Sequence, residues 1–207
     1  MTERTYGNST IVTEYQLSPN PVPSDVFDNI ESAAPTIVVV GAHDGVHGEH
    51  YGLMKFLEEL DDFKLYLIEP MKRFFDDLPE VYDKFGDKVK YLNYAISEID
   101  GQVRMVDQGI MSKLGNGNVT VRSKTWNSFI IENDIDEIDI LLLDCEGYEF
   151  NILKQISDKK NIVKSIRYEY YWVGDKQGLD DHLVNNNYDV KLCCNDPTYN
   201  KVAFLKI

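Results

Sequence analysis

Carboxylates stand where apolar runs stop in this 207-residue chain. Glu69 closes "KLYLIE" (64–69), and "IDILLLDC" (138–145) delivers Asp144, with Glu146 and Glu149 just beyond. Glu169 lies within a later apolar run, "VKSIRYEYYW" (163–172). An acid that ends a strand is placed to accept both hydroxyls of a ribose. Clustered acids can take a proton from a hydroxyl or hold a hard divalent cation. Asp144 and Glu146 alternate in an extended segment and can share one side, whereas Glu149 falls in a first helical turn, where it favours the helix dipole. "TIVVVGAHDGVHG" (36–48) adds Gly41-Ala42-His43-Asp44-Gly45, whose glycines permit close approach of the backbone to a ligand. Histidine is the side chain suited to proton transfer near neutral pH, and His43 is a candidate base.

Phosphate-binding patterns fail at the same turn. A dinucleotide fingerprint needs a glycine where His43 stands, and a P-loop needs Lys after its second glycine where this chain has Val46. His43, His47 and His50 are spaced too irregularly for a zinc set.

The elements that must position these groups alternate. "TIVVV" (36–40) is a β-branched run of the kind buried on both faces of a sheet. Segment 49–60 places Leu53, Met54, Leu57 and Leu60 at helical spacing. Strands are expected at 64–69, 88–97, 101–107, 138–145 and 163–172. Helices are expected over 71–85, divided at Pro79, and at 125–134, 149–157 and 179–187. "MSKLGNGNVTV" (111–121) reads as a loop whose glycines could hinge a lid. Two final runs, 188–194 and 201–207, are too close for a helical crossover and are expected to form an antiparallel hairpin at one edge. Strand–helix alternation implies an α/β fold, a mostly parallel sheet with helices on both faces, and ligands beyond the carboxyl ends of its strands. Residues 1–35, with three prolines in "SPNPVPSD" and a short strand expected in "STIVTEY", read as an N-terminal extension or lid, and 36–207 as a single domain.

"VVVGAHDGVHG", "LYLIEP", "YLNYAIS" and "IDILLLDCEGYEFNIL", in this order, resemble the FkbM family of S-adenosylmethionine-dependent methyltransferases. The most specific of the four is the apolar strand ending in D-x-E-G-x-E. The resemblance covers about residues 36–172 and implies a class I methyltransferase-like (Rossmann-like) fold. It implies O-methylation, often of a hydroxyl on a sugar or natural product, with S-adenosylmethionine as cofactor. It assigns Gly41, Ala42, His43, Asp44 and Gly45 to the methionine part, Glu69 to the ribose, Tyr94 and Ala95 to the adenine, and Asp144 to the ammonium or reacting centre. Asp144, Glu146 and His43 are the catalytic candidates, and Asp144, Glu146 and Glu169 the candidates for a divalent metal. Two departures, His43 and Trp126-Asn127, bear on the acceptor more than on the cofactor. Two rival classes fit a similar sheet: a nucleoside-cofactor oxidoreductase, which the His43 mismatch disfavours, and a non-catalytic binding module, which the intact acids disfavour.

A net charge of -14 repels phosphate backbones and anionic membranes, so no nucleic acid and no membrane is expected as partner, while a small-molecule or carbohydrate acceptor is what the family resemblance implies. Three cysteines, two of them adjacent, match no zinc spacing and suit a reducing, cytoplasmic compartment. No run reads as a signal peptide or membrane span.

Overall fold

A run of side chains that are apolar on both faces can only be buried between two layers, and the chain uses several. The computed structural model describes residues 25–28, 30–46, 52–156, 162–193 and 199–206. Its strands in chain order are β1 (Thr36–Val40), β2 (Lys64–Ile68), β3 (Val89–Leu92), β4 (Ala95–Ile96), β5 (Gly101–Val106), β6 (Lys113–Leu114), β7 (Val119–Lys124), β8 (Glu137–Leu143), β9 (Ile162–Glu169), β10 (Tyr188–Leu192) and β11 (Asn200–Leu205). The helices are α1 (Leu53–Glu58), α2 (Lys72–Phe75), α3 (Leu78–Tyr82), α4 (Trp126–Glu132), α5 (Glu149–Ile156) and α6 (Lys176–Asn185).

Seven strands form one sheet in the order β10-β11-β9-β8-β1-β2-β3. The most hydrophobic strand, β8, is its centre, and β3, β2, β1, β8 and β9 are parallel. Successive residues of β1 enter opposite layers. Ile37 and Val39 pack with Leu53 and Leu57 of α1 and Leu78 and Tyr82 of α3. Val38 and Val40 pack with residues of α4, α5 and α6. Thr125 caps α4 by accepting the Ser128 amide, and Asp175 caps α6 by accepting that of Gly178. His182 of α6 is structural: its Nε2 lies 3.2 Å from the Leu153 carbonyl oxygen. Pro79 sits in the first turn of α3, so the helical region divides near the expected place.

The C-terminal strands pair antiparallel as expected, but β11 inserts between β9 and β10, leaving β10 at the edge. A larger difference concerns residues 93–124. β3 stops at Leu92, because Asn93 turns the chain and donates its side-chain amide to the Glu69 and Pro70 carbonyls at 2.8 and 3.2 Å. Ala95–Ile96 and Gly101–Val106 then join a second, four-stranded sheet in the order β4-β7-β5-β6. The expected loop over 111–121 contains β6 and the start of β7. Its glycine- and asparagine-rich part is only the turn at 115–118, where a Cβ on Gly117 would lie 1.8 Å from the Met105 carbonyl oxygen.

Of the N-terminal extension, Val26 is fully buried against the main sheet, and Asp25 pairs with Arg167 of β9 at 3.2 Å. The expected strand within 9–15, the proline-rich stretch up to 24, His47, His50 and Cys194 lie outside the described residues. Among the described residues no helix is long and apolar enough to cross a membrane.

Candidate functional site

The tips of β1, β2 and β8 are tied together by backbone. The amides of Gly41 and Ala42 both donate to the Ile68 carbonyl at 3.0 Å, and the Asp144 amide donates to that of Val40 at 3.0 Å. Gly41 has φ 85°, and a Cβ there would lie 1.8 Å from the Asp144 carbonyl oxygen. Only glycine lets β1 turn away this close to β8. Gly45, at φ 79°, packs against the ring of Tyr82 for the same reason.

Glu69 leaves β2 into this junction. It is 5% exposed, and its two oxygens accept the His43 amide at 2.9 Å and the Met71 amide at 2.6 Å. Burial pushes its pKa up to about 7 against the opposing pull of those amides and of Arg73. An ionised carboxylate has about four acceptor positions, so two remain for a ligand diol.

The acids converge on the other side. Register pairs Leu143 with Tyr168, so Asp144 and Glu169 follow side by side on neighbouring parallel strands. Asp144, Glu146 and Glu169 each place an oxygen within 4.8 Å of the others. Glu146 adopts φ 54°, and burial raises its pKa against the attraction of Lys113. Glu149 holds this turn from below. It is fully buried, and its Oε1 accepts the amides of Cys145 at 2.6 Å and Gly147 at 3.3 Å. Its pKa is pushed up to about 7 by burial, so its capping role comes with a cost of ionisation.

One cavity joins these groups. Gly41, His43, Glu69, Ala95, Asp144 and Glu146 all line it. Other sequence candidates support the walls from behind. Ala42 is fully buried in the core, the Asp44 side chain accepts the Val46 amide at 3.1 Å, and Tyr94 is 5% exposed among core side chains. The ring of His43 packs 3.7 Å from that of Phe74, and its Nδ1 lies 3.1 Å from Asp44. The remaining wall is apolar and was not singled out from sequence: Met71, Phe74, Ile96, Met105 and Leu114. Phe74 was legible only as one face of a helix, and Met105 and Leu114 reach the cavity through the second sheet. Ser112 and Lys113, from the segment read as a lid, stand at its edge. A bidentate pair between Arg73 and Asp107, at 2.6 Å for both contacts, fastens α2 to the end of β5.

These residues fit S-adenosylmethionine on their own chemistry. A close-approach glycine turn, a buried acid with acceptor positions to spare, an apolar slot beside Ala95 and an acidic end suit a methionine chain, a ribose, an adenine and an ammonium. No phosphate has to be accommodated.

The chain matches the family described as "Methyltransferase FkbM domain" over residues 40–190. It is similar to the solved structure of methyltransferase FkbM from Methylobacillus flagellatus KT, at 15% identity and a TM-score of 0.60, over 88% of this chain and 48% of that one. The chain thus spans about half the length of that relative. It is also similar to the methyltransferase domain of METTL16, at 12% identity and a TM-score of 0.52, over 87% of this chain and 63% of that one. Such identities speak for the fold, a class I methyltransferase fold. No curated protein matches the sequence. The family match spans most of the chain, and this protein belongs to the FkbM methyltransferase family.

Proposed function

We propose that this protein is an S-adenosylmethionine-dependent O-methyltransferase acting on a hydroxyl of a sugar or similar small molecule. The observation that carries the reading is that Glu69 and the Asp144 and Glu146 acids line one cavity. When bound, S-adenosylmethionine supplies an electrophilic methyl group on a sulfonium, which departs as a neutral thioether. Glu69 accepts the ribose hydroxyls, and the Gly41 turn lies against the methionine part. Asp144, with Glu146 beside it, orients the acceptor hydroxyl and takes its proton as oxygen gains the methyl group. Apolar side chains such as Met71, Phe74 and Met105 exclude water from that proton transfer. Alignment of the acceptor is the larger contribution, about 7–11 kcal/mol in well-oriented systems.

A second reading of the acidic end is favoured by the 4.8 Å grouping of Asp144, Glu146 and Glu169 oxygens. That spacing suits a divalent cation, which would lower the pKa of a bound hydroxyl. The test of the main reading is formation of S-adenosylhomocysteine with a panel of carbohydrates and simple alcohols, alongside calorimetry with S-adenosylmethionine and with NAD. Turnover with a hydroxyl acceptor supports it. Binding of NAD in place of S-adenosylmethionine contradicts it.

A further inference from the structure

Beyond Glu69 and the acids lies a surface feature that the cavity does not use. Among the described residues the exposed aromatic side chains are Tyr171, Trp172 and Tyr199, and Tyr171 touches both of the others. Tyr171 and Trp172 meet at 90° with ring centres 4.7 Å apart, and Tyr171 lies 4.8 Å from Tyr199. The backbone fixes this corner, since the amides of Tyr170 and Tyr171 both donate to the Tyr199 carbonyl, at 2.5 and 3.2 Å. The neighbouring ring of Tyr170 has Lys201 3.8 Å and Lys176 4.9 Å away, and Lys176 also lies 5.4 Å from the ring of Tyr171. Elsewhere among the described residues such large rings are buried or partly buried, so three gathered at 41–45% exposure mark a contact surface.

Its location gives it chemistry. The corner begins one residue after the end of β9, at Glu169. It also rests on the acidic turn: a Cβ on Gly147 would lie 2.9 Å from the Trp172 carbonyl oxygen and 3.6 Å from its Cβ. The aromatic corner therefore adjoins the turn that carries Asp144 and Glu146 and follows Glu169 in the chain. A pyranose satisfies both, because its C–H face suits the negative face of an aromatic ring and its hydroxyls donate to carboxylates. A wholly apolar ligand would strip the acids of water without replacing its hydrogen bonds.

We propose that Tyr171, Trp172 and Tyr199 form a stacking site for the ring of a neutral carbohydrate, which presents a hydroxyl to the acids next to it. Only that presentation rests on the methyltransferase reading; the binding itself does not. The chain has two tryptophans, and Trp126 is 1% exposed in the core, so saccharide-dependent changes in indole emission report on Trp172.

The probes are the methyl pyranosides of glucose, galactose, mannose, fucose and rhamnose, titrated into the full chain with S-adenosylhomocysteine present; glycerol is the acyclic control. A saturable emission change with at least one pyranoside and none with glycerol is expected. Tyr171→Ala and Tyr199→Ala should each weaken it tenfold or more, while calorimetric binding of S-adenosylhomocysteine stays as in the wild type. The site is overturned if no pyranoside changes the emission, or if both variants bind as the wild type does. Failure of the wild type to bind S-adenosylhomocysteine would count against the cofactor reading alone, because the saccharide titration can be repeated without it.

Discussion

The Glu69 carboxylate accepts the backbone amide of His43 at 2.9 Å, so the end of β2 holds the turn that leaves β1. One acid therefore shapes the turn and faces the cavity. Burial places its pKa near 7, and a ribose diol is bound best by the ionised form. About one-tenth of the sites are ionised at pH 6 and about nine-tenths at pH 8, so affinity for S-adenosylhomocysteine should rise about tenfold across that range. Calorimetry at pH 6, 7 and 8 checks this. A flat profile would show that the diol is held elsewhere.

The same shift has the opposite effect on the ligand-free fold. Glu69 and Glu149 both have folded pKa values of about 7 against a usual 4.5, so the folded state binds their protons more tightly than the unfolded chain does. Stability is then lost as pH rises from about 4.5 to about 7. Thermal unfolding should show a lower Tm at pH 8 than at pH 5, and Glu69→Gln should reduce the difference. Equal slopes in the two proteins would contradict the assignment to Glu69.

Gly41→Ala should be severe. The new methyl would meet the Asp144 carbonyl at 1.8 Å at a left-handed φ of 85°. A loss of about 3 kcal/mol or more is expected, with failure to fold as the extreme. Gly86 also has positive φ, 61°, but no atom within 4 Å of a built Cβ. At ψ −132° the backbone still favours glycine, and Gly86→Ala should cost about 1–3 kcal/mol from conformation alone. Urea denaturation of the pair separates close approach from backbone conformation.

Asp144→Asn keeps the shape at the tip of β8 and removes the proton acceptor. Turnover should fall about 10²–10⁴-fold with Tm nearly unchanged. Steady-state kinetics together with thermal unfolding tests this, and a variant that turns over normally would move the base to another residue.

Dialysis against EDTA distinguishes the two readings of the acidic end. If Asp144 and Glu146 act as proton acceptors, turnover should be unchanged. Loss of activity that magnesium or manganese restores would assign a cation to the Asp144–Glu146–Glu169 group.

The centre of the main sheet was legible because β1, β2 and β8 are nearly continuous apolar runs, and they lead into Gly41, Glu69 and Asp144. Glu69 and Asp144 were found from position alone, and their meeting in one cavity follows from the parallel order of β2, β1 and β8. The second sheet was not legible. Val119, Val121 and Ser123 alternate as a strand should, yet the glycines just before them read as a loop, and the pairing partner of β7 is set by tertiary contact. Met105 and Leu114 were missed with it. Glu149 was assigned to its helix dipole, but its carboxylate also holds the Cys145 and Gly147 amides, a contact made by a turn whose φ values the residue names do not disclose.

The most direct measurement is calorimetric titration of S-adenosylhomocysteine into the wild type and Glu69→Ala at pH 8, with Tm recorded for both. Saturable one-to-one binding by the wild type is expected. In a variant that still folds, binding should be at least tenfold weaker, in line with the loss of a charged hydrogen-bonding group. A folded variant that binds as tightly as the wild type would contradict the placement of the cofactor across the tips of β1, β2 and β8.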